Sequence, residues 1–284
     1  MSHSTLPHAH PTAVISTDAV MSPDVRIEPF VVIDGPVTVG PGCVIRSHAR
    51  LIGPLTIGAR NDIGNGAVLG GTPQHLGYKG EKTNLEIGDD NIFREHFTVS
   101  RGMPLGVGPG SGTTRIGNRN LFMAGSHVGH DCVVGNDCIL ANGALLAGHV
   151  TIDDRVLISG NSAVHQFCRV GRLGLLSGVS GVGKDIPPFW VMQGHNQVRG
   201  INLIGMRRAG IPAADVLAIR KAFRILYLTR PAIPMTAALA RIEAELGQHE
   251  AIRELLGFIR ESKRGILGAH RLVTGEDDES SAAA

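Results

Sequence analysis

The chain has 284 residues, a formal net charge of +2, 38 glycines and only 4% aromatic residues. The near-neutral charge gives no reason to expect a nucleic-acid-binding surface, and no stretch approaches the ~18 consecutive apolar residues of a membrane-spanning helix. We therefore expect a cytoplasmic protein with no nucleic-acid partner and no membrane span. Many glycines and few bulky side chains favour a repeat architecture over a mixed core.

Residues 1–14 are predicted to form an N-terminal extension, because they are polar and contain no apolar run. From Ile15 onward an apolar residue recurs at every sixth position, with a restart after each of two interruptions. These positions are Ile15, Met21, Ile27, Ile33, Val39, Ile45, Leu51, Ile57, Ile63, Leu69, Ile87, Phe93, Val99, Ile116, Phe122, Val128, Val134, Leu140, Leu146, Ile152, Ile158, Val164, Val170, Leu176 and Val182.

A period of six residues fits neither a 3.6-residue helix nor a regularly alternating strand, but it fits a short strand followed by a tight corner. Three such turns close a coil of about 18 residues, and successive coils stack about 4.8 Å apart. The sequence therefore predicts a mainly β protein, a parallel β-helix of hexapeptide repeats over residues 15–190, with the apolar residue of each turn pointing inward.

Two interruptions, residues 71–86 and 101–115, are predicted to be loops that leave the repeat. The first carries Gln74, His75, Tyr78 and Lys79, and the second is mostly glycine, proline and serine. Loops that leave a regular solenoid often build a binding face, although a tolerated insertion is the alternative.

After Pro187 and Pro188 the six-residue pattern stops, and residues 191–273 are predicted to be a linker and a C-terminal α-helical domain. Helical spacing runs from about residue 212 to 267, and Pro231 and Pro234 divide it into two stretches. The acidic end, residues 274–284, is predicted to be disordered.

A basic cluster opens this domain. Between residues 200 and 230 the only acid is Asp215. Such a cluster suits a phosphate or an acidic partner protein, and a solvated helical face is the alternative. The basic residues are Arg207, Arg208, Arg220, Lys221, Arg224 and Arg230.

The cysteines indicate core positions. Cys132, Cys138 and Cys168 are separated by multiples of six, so they occupy one slot of the repeat. Their spacing matches no common zinc signature. We expect them to be small buried residues, and a metal or disulfide role is the alternative.

Four histidines, His127, His130, His149 and His165, are concentrated in one part of the β-helix. Residues 18 apart should stack in adjacent coils. One such column would contain His130, Gly148 and Gln166, and the next would contain Asp131, His149 and Phe167. A base beside a carboxylate, with a glycine N–H one coil above, suits acyl transfer. Solvated surface histidines and a zinc site are the alternatives.

The motifs around these histidines closely resemble the UDP-N-acetylglucosamine O-acyltransferases that begin lipid A synthesis. The resemblance covers nearly the whole chain. The matching segments, in order, are Pro73-Gln74 with Tyr78-Lys-Gly-Glu81, His127-Val-Gly-His130-Asp131-Cys132, Cys138-Ile-Leu-Ala-Asn142, Leu146-Ala-Gly148-His149, Ala163-Val-His165-Gln166-Phe-Cys168, Asp185-Ile-Pro-Pro-Phe189, Gln193-Gly194, Gly200-Ile-Asn202 and Arg207-Arg208.

This resemblance implies a left-handed β-helix and a homotrimer with active sites between neighbouring subunits. It implies a donor, a 3-hydroxyacyl thioester on acyl carrier protein, and an acceptor, the 3-hydroxyl of UDP-N-acetylglucosamine. No cofactor or metal is expected, because the thioester already supplies an activated acyl group.

By the same resemblance, the catalytic positions are His130 as general base, Asp131 as its partner and Gly148 as the oxyanion donor. Gly178 falls at the position that sets acyl-chain length, where a glycine leaves room for a longer chain. The expected substrate-binding residues are His127, His149, His165, Gln166, Asn202, Arg208, Gln74 and His75.

Three residues depart from the family pattern. His75 and Gly77 stand where the family typically has an acid and a lysine that contact the sugar, and Ile204 stands where a glutamate is usual. The acceptor could therefore be a variant, such as a 3-amino UDP-sugar that would be N-acylated, or another UDP-hexosamine. A zinc-dependent hexapeptide protein of the carbonic-anhydrase type is a more distant alternative.

Overall fold

A computed structural model describes residues 8–229 and 231–266. It contains many strands of two to five residues, as the hexapeptide pattern predicts. In chain order they are β1 His8–Ala9, β2 Val14–Ile15, β3 Val20–Met21, β4 Arg26–Ile27, β5 Val32–Asp34, β6 Val37–Val39, β7 Val44–Ile45, β8 Arg50–Ile52, β9 Leu55–Ile57, β10 Asp62–Ile63, β11 Val68–Gly71, β12 Asn84–Ile87, β13 Ile92–Phe93, β14 Thr98–Ser100, β15 Thr113–Ile116, β16 Leu121–Phe122, β17 His127–Val128, β18 Val133–Val134, β19 Ile139–Leu140, β20 Leu145–Leu146, β21 Thr151–Ile152, β22 Leu157–Ile158, β23 Ala163–Val164, β24 Arg169–Val170, β25 Leu175–Leu176, β26 Gly181–Val182, β27 Trp190–Gln193 and β28 Gln197–Ile201.

The strands form three long sheets, which are the three faces of a parallel β-helix. In the sheets every third strand along the chain is a neighbour, as in the series β16, β19, β22 and β25. Where no loop intervenes, each residue pairs with the one 18 positions later, as Ile139 does with Leu157. The predicted fold class, a parallel β-helix of hexapeptide repeats followed by helices, is confirmed.

The apolar residue of each hexad lies inside the coil. Every one of the predicted inward positions is buried, except Ile15 and Met21 in the first coils, which are half-buried. The stack therefore forms one continuous core along the axis. Each buried aliphatic side chain in it contributes roughly 1.5–3 kcal/mol of gross stabilisation.

A matched pair of isoleucine variants tests this inward rule. Ile158 on β22 is fully buried, whereas Ile92 on β13 is 45% exposed on the outer face of the same sheet. We expect Ile158→Val to lower the free energy of unfolding by about 0.5–1.5 kcal/mol. Ile92→Val should change it by less than about 0.5 kcal/mol. Chemical denaturation measures both, and equal losses would contradict the assigned orientation.

The ends of the repeat differ from the predicted boundaries. The first strand, His8–Ala9, pairs with Arg26–Ile27, so part of the predicted extension belongs to the first coil. The two loops cover residues 72–83 and 101–112, a few residues shorter than predicted. At the other end, strand β27 continues the β25 sheet and forms an antiparallel hairpin with β28.

The helical domain packs on the last coils. Its helices are α1 Leu203–Arg208, α2 Ala213–Phe223, α3 Met235–Leu246 and α4 Glu250–Glu261, and a π-helical turn, Arg224–Leu228, extends α2. Pro231 and Pro234 lie between this turn and α3, as predicted. The sequence missed the second break, where α3 ends before Gly247 and a short turn leads to α4.

Two further predictions are a disordered C-terminal tail and the absence of a membrane-spanning helix. The predicted disordered tail, residues 274–284, lies outside the described residues. Within the described parts of the chain, no helix is long and apolar enough to cross a bilayer.

All four cysteines are buried and unpaired with one another, as expected for core residues. Burial raises the pKa of Cys132 and of Cys138 to about 12 and that of Cys168 to about 11. These thiols are therefore protonated at neutral pH, and they pack in the core of the coil.

Candidate active site

A cavity of about 980 Å³ runs along one side of the β-helix, beneath the first loop. Its wall consists of corner residues from several successive coils, and most of the histidines singled out in the sequence lie on it. Seven of the predicted site residues line it: Gln74, His75, His127, His130, Gly148, His165 and Gln166.

His130 lies in this wall, and its ring is paired with Asp131, which does not itself line the cavity. The Nδ1 of His130 is 2.8 Å from the Oδ2 of Asp131, whose side chain is fully buried. Burial by itself would raise the pKa of Asp131, but hydrogen bonds from His130, Met103 and Ser111 outweigh it and lower the pKa to about 2. An ionised carboxylate only accepts, so Nδ1 donates and neutral His130 keeps a free lone pair on Nε2.

The second loop holds Asp131 in place. The carboxylate accepts hydrogen bonds from the backbone N–H of Met103 and from both the N–H and the hydroxyl of Ser111. Its own N–H donates to the Oγ1 of Thr114. Ser111 and Met103 were missed as supporting residues, although the loop that carries them was recognised as one that leaves the repeat.

Gly148 lies directly above His130, as the coil period predicts. A Cβ added to Gly148 would lie 2.6 Å from the Cε1 and Nε2 of His130, so only a glycine leaves this space open. The N–H of Gly148 donates no hydrogen bond to any described residue. A free backbone donor therefore lies beside the free lone pair of the imidazole.

The variant Gly148→Ala should displace the His130 ring, because the new methyl group would overlap its Nε2. A shift of about 1 Å can cost 10²-fold in rate, so we expect a 10- to 100-fold loss of acyl transfer at nearly unchanged melting temperature. Gly160→Ala is the folding control, since its Cβ would meet nothing closer than 3.4 Å. Wild-type turnover in Gly148→Ala would contradict this close approach.

His149 and His127 flank the pair. The ring of His149 stacks on Phe167 with centroids 4.6 Å apart and meets His130 edge-on at 5.0 Å. The Nδ1 of His127 is 2.7 Å from the hydroxyl of Thr98. Burial lowers the pKa of both His127 and His149, which favours their neutral forms around the base.

The first loop closes the cavity over His130. The His75 ring lies 5.7 Å from the His130 ring, and the N–H of Gly77 donates to the Nδ1 of His75 at 3.0 Å. Neutral His75 therefore carries its proton on Nε2. The loop is held by the buried Arg101, which donates to the carbonyl of Gly70 and to the hydroxyl of Tyr78.

Five predicted residues do not line this cavity: Asp131, whose side chain is fully buried, and Asn202, Arg208, Gly178 and His149. Asn202 caps helix α1 by accepting from the N–H of Gly205 and donates to the carbonyl of Leu173. Arg208 is exposed in the last turn of α1, and Gly178 is exposed at another corner of the coil. His149 contacts His130 edge-on, but it lines a neighbouring cavity rather than this one.

The same centre offers a group of metal-binding atoms. One ligand atom each from His130, Asp131 and His149 lie within 4.8 Å of one another. The Asp131 carboxylate already accepts four hydrogen bonds, so a metal there would compete with Met103, Ser111 and His130 for its lone pairs.

Three residues of the predicted basic cluster, Arg220, Lys221 and Arg224, line a second cavity, of about 680 Å³, on the helical domain, whereas Arg207 and Arg208 do not. Lys221 and Arg241 pair with Glu245, whereas Arg220 and Arg224 pair with no acid among the described residues. Leu217 and Leu228, both exposed, lie at its rim. Arg230 lies outside the described residues.

Known proteins are similar in sequence to this chain over most of its length. Residues 185–267 match the family model for domain 2 of UDP-N-acetylglucosamine O-acyltransferase, and residues 18–53 and 113–148 match the bacterial transferase hexapeptide model. The acyl-[acyl-carrier-protein]–UDP-N-acetylglucosamine O-acyltransferase of Anaeromyxobacter dehalogenans is 45% identical over 258 residues, 90% of this chain and 98% of the relative. The enzyme of the same name from Myxococcus xanthus is 42% identical over the same shares.

Solved structures agree with this match. The UDP-N-acetylglucosamine acyltransferase of Francisella novicida superposes with a TM-score of 0.86 at 34% identity, over 91% of this chain and 93% of that one. The corresponding protein of Bacteroides fragilis gives a TM-score of 0.85 at 40% identity, over 91% and 99%. With relatives this similar along nearly their entire length, the chain belongs to the UDP-N-acetylglucosamine O-acyltransferase family.

Proposed function

We propose that this protein transfers a 3-hydroxyacyl chain from acyl carrier protein to the 3-hydroxyl of UDP-N-acetylglucosamine, the first step of lipid A synthesis. The observation that carries the proposal is the His130–Asp131 pair, whose free Nε2 lies beside the free N–H of Gly148 in a cavity wall. The family to which the chain belongs supplies the donor and acceptor classes.

In the proposed reaction the Nε2 of His130 takes the proton of the acceptor hydroxyl as its oxygen attacks the thioester carbonyl. The Gly148 N–H donates to the negative oxygen of the tetrahedral intermediate, and Asp131 stabilises the imidazolium. Collapse breaks the carbon–sulfur bond, and the leaving thiolate takes the proton back from His130. An ester forms, a thiol is released and no cofactor is required.

The remaining predicted residues are assigned to the substrates. Those in the cavity wall would contact the acceptor and the acyl group, and His149 would support the ring of His130 through its edge-on contact. Gly178, Asn202 and Arg208 lie outside that wall in a single chain, so we propose a homotrimer in which a neighbouring subunit brings such residues to the site. Since both proposed substrates are cytoplasmic, we place the protein in the cytoplasm.

For the carrier protein, we propose a docking surface on the basic side of the helical domain. Arg220 and Arg224 are free of acidic partners within the described residues, and Arg207 and Arg208 are exposed on α1. Acyl carrier protein is acidic, so this surface has the complementary charge, which speeds and orients association.

Incubation of the purified protein with 3-hydroxyacyl carrier proteins of several chain lengths, together with UDP-N-acetylglucosamine or its 3-amino analogue, tests the proposal. Mass spectrometry should detect O-acylated UDP-N-acetylglucosamine, and a preference for longer donors would agree with Gly178. Product from the amino sugar alone would assign N-acylation, as the changes at His75, Gly77 and Ile204 allow. No product with any UDP-hexosamine, or stoichiometric zinc without transfer, would refute the proposed function.

A further inference from the structure

We propose that Arg264, carried by the segment that follows helix α4, binds the diphosphate of the nucleotide-sugar acceptor. This inference rests on the proposed function and adds a residue that the sequence motifs did not single out. Among the described residues that line the large cavity, Arg264 is the only side chain with a permanent charge. The rest of that wall consists of histidines, amides, hydroxyl groups, glycines and aliphatic side chains, with no carboxylate.

The segment 262–266 is fastened to the β-helix, so Arg264 is held over the cavity. The hydroxyl of Ser262 donates to the Oδ2 of Asp185 at 2.6 Å, and the N–H of Asp185 donates to the carbonyl of Gly265 at 3.0 Å. Asp185 and Ile266 also form a parallel β-bridge. Asp185 is buried and its other oxygen accepts from the N–H of Arg169, so this acid is engaged in holding the segment.

The Arg264 guanidinium does not use all of its N–H donors within the protein. One terminal nitrogen donates to the carbonyl of Gly183 at 2.9 Å and lies 3.4 Å from the Nδ1 of His165. It makes no ion pair with any acid in residues 8–229 and 231–266. The guanidinium also forms a hydrogen bond with the thiol of Cys168. Because a guanidinium carries five N–H groups, donors remain available for an anion beyond these contacts.

The position of Arg264 suits the acceptor better than the donor. Arg264 contacts His165 and Gly183. These two residues occupy the same corner position as Gly129, the neighbour of His130, in coils farther along the axis. Arg264 therefore lies two to three coils above the proposed catalytic base. At about 4.8 Å a coil, this is roughly 10–14 Å. In a nucleotide sugar only the sugar ring separates the reacting hydroxyl from the diphosphate, whereas the pantetheine arm of a carrier protein holds its phosphate much farther from the thioester.

Binding and kinetics of three variants test the assignment. UDP and uridine are titrated by calorimetry into the wild type and into Arg264→Ala, Arg264→Lys and Lys263→Ala. Steady-state kinetics are measured with both substrates. Lys263 is the matched control, because it is the adjacent cation on the same segment but does not line the large cavity.

Losing a charge-assisted hydrogen bond to a phosphate typically weakens binding by about 10- to 100-fold. Arg264→Ala should therefore raise the Kd of UDP and the KM of the UDP-sugar by about 10- to 100-fold, with uridine binding and the KM of the acyl carrier protein unchanged. Arg264→Lys should recover part of this loss, and Lys263→Ala should behave as the wild type. Unchanged UDP affinity in a folded Arg264→Ala protein overturns the assignment, as does a KM increase confined to the acyl donor. Absence of turnover in the wild type would instead refute the proposed function.

Discussion

The variant His130→Ala should lose about 10²–10⁴ of the acyl-transfer rate while keeping its fold. The imidazole has a free lone pair on Nε2, and its orientation is fixed by a buried, ionised carboxylate, Asp131. The His130 side chain lies in the cavity wall, outside the apolar core of the coil, so its removal costs no core packing. Steady-state turnover and thermal unfolding, measured on one preparation, check both parts.

The chain offers a matched control for this variant. His249, at the start of helix α4, forms a second histidine–carboxylate pair, with its Nδ1 2.7 Å from the Oδ1 of Asp215. His249→Ala should keep wild-type turnover, because this pair lies in the helical domain and not in the cavity. Equal turnover in folded His130→Ala and wild type would remove the general base from the mechanism.

Asp131→Asn should have the second-largest effect, a rate loss on the order of 10³, because a neutral amide cannot stabilise the imidazolium and can fix the histidine tautomer in only one of its two orientations. Each carboxylate oxygen now accepts two hydrogen bonds, and one donor at each oxygen is a backbone N–H, from Met103 or from Ser111. An amide has only one acceptor oxygen. In either orientation its NH₂ group would face a backbone donor, which costs about 1–3 kcal/mol for the buried N–H left without an acceptor.

The stability of the wild type should follow the titration of Asp131 in acid. Its pKa is lowered to about 2 in the folded protein, below the ~3.9 of an unfolded chain. The carboxylate therefore contributes stability above about pH 4, and that contribution disappears as the pH falls toward 2. Because the Asp131 side chain is fully buried, this contribution to the free energy of unfolding is about 2–3 kcal/mol.

Urea denaturation of wild type and Asp131→Asn at pH 7 and at successively lower pH measures this effect. The difference in unfolding free energy should be largest near neutral pH and should shrink as the pH approaches 2. A difference that is independent of pH would mean that the carboxylate has an ordinary pKa in the folded protein. A wild-type rate in the folded variant would show that Asp131 does not orient His130.

The coil geometry follows from the six-residue repeat, and so does the placement of Gly148 above His130. The inward hexad residues, the interruption of the repeat by two loops and the stacking of Gly148 on His130 could all be predicted. A solenoid repeats one backbone unit, so residues 18 apart become neighbours wherever the chain runs without interruption. The sequence alone also carried the family motifs, but it misjudged where the repeat begins and where α3 ends, because these boundaries depend on terminal pairing and on packing between helices.

The rest of the site depended on contacts between segments that no repeat relates. Ser111 reaches Asp131 across a loop, and Arg264 reaches the cavity from beyond helix α4, far along the chain from His165. Such contacts are set by how a loop or a terminal segment folds back on the coil, which is decided by the packing of the whole molecule. The sequence by itself therefore determined the β-helix and the histidine column, whereas only the tertiary structure decided what fixes Asp131 and which charge faces the cavity.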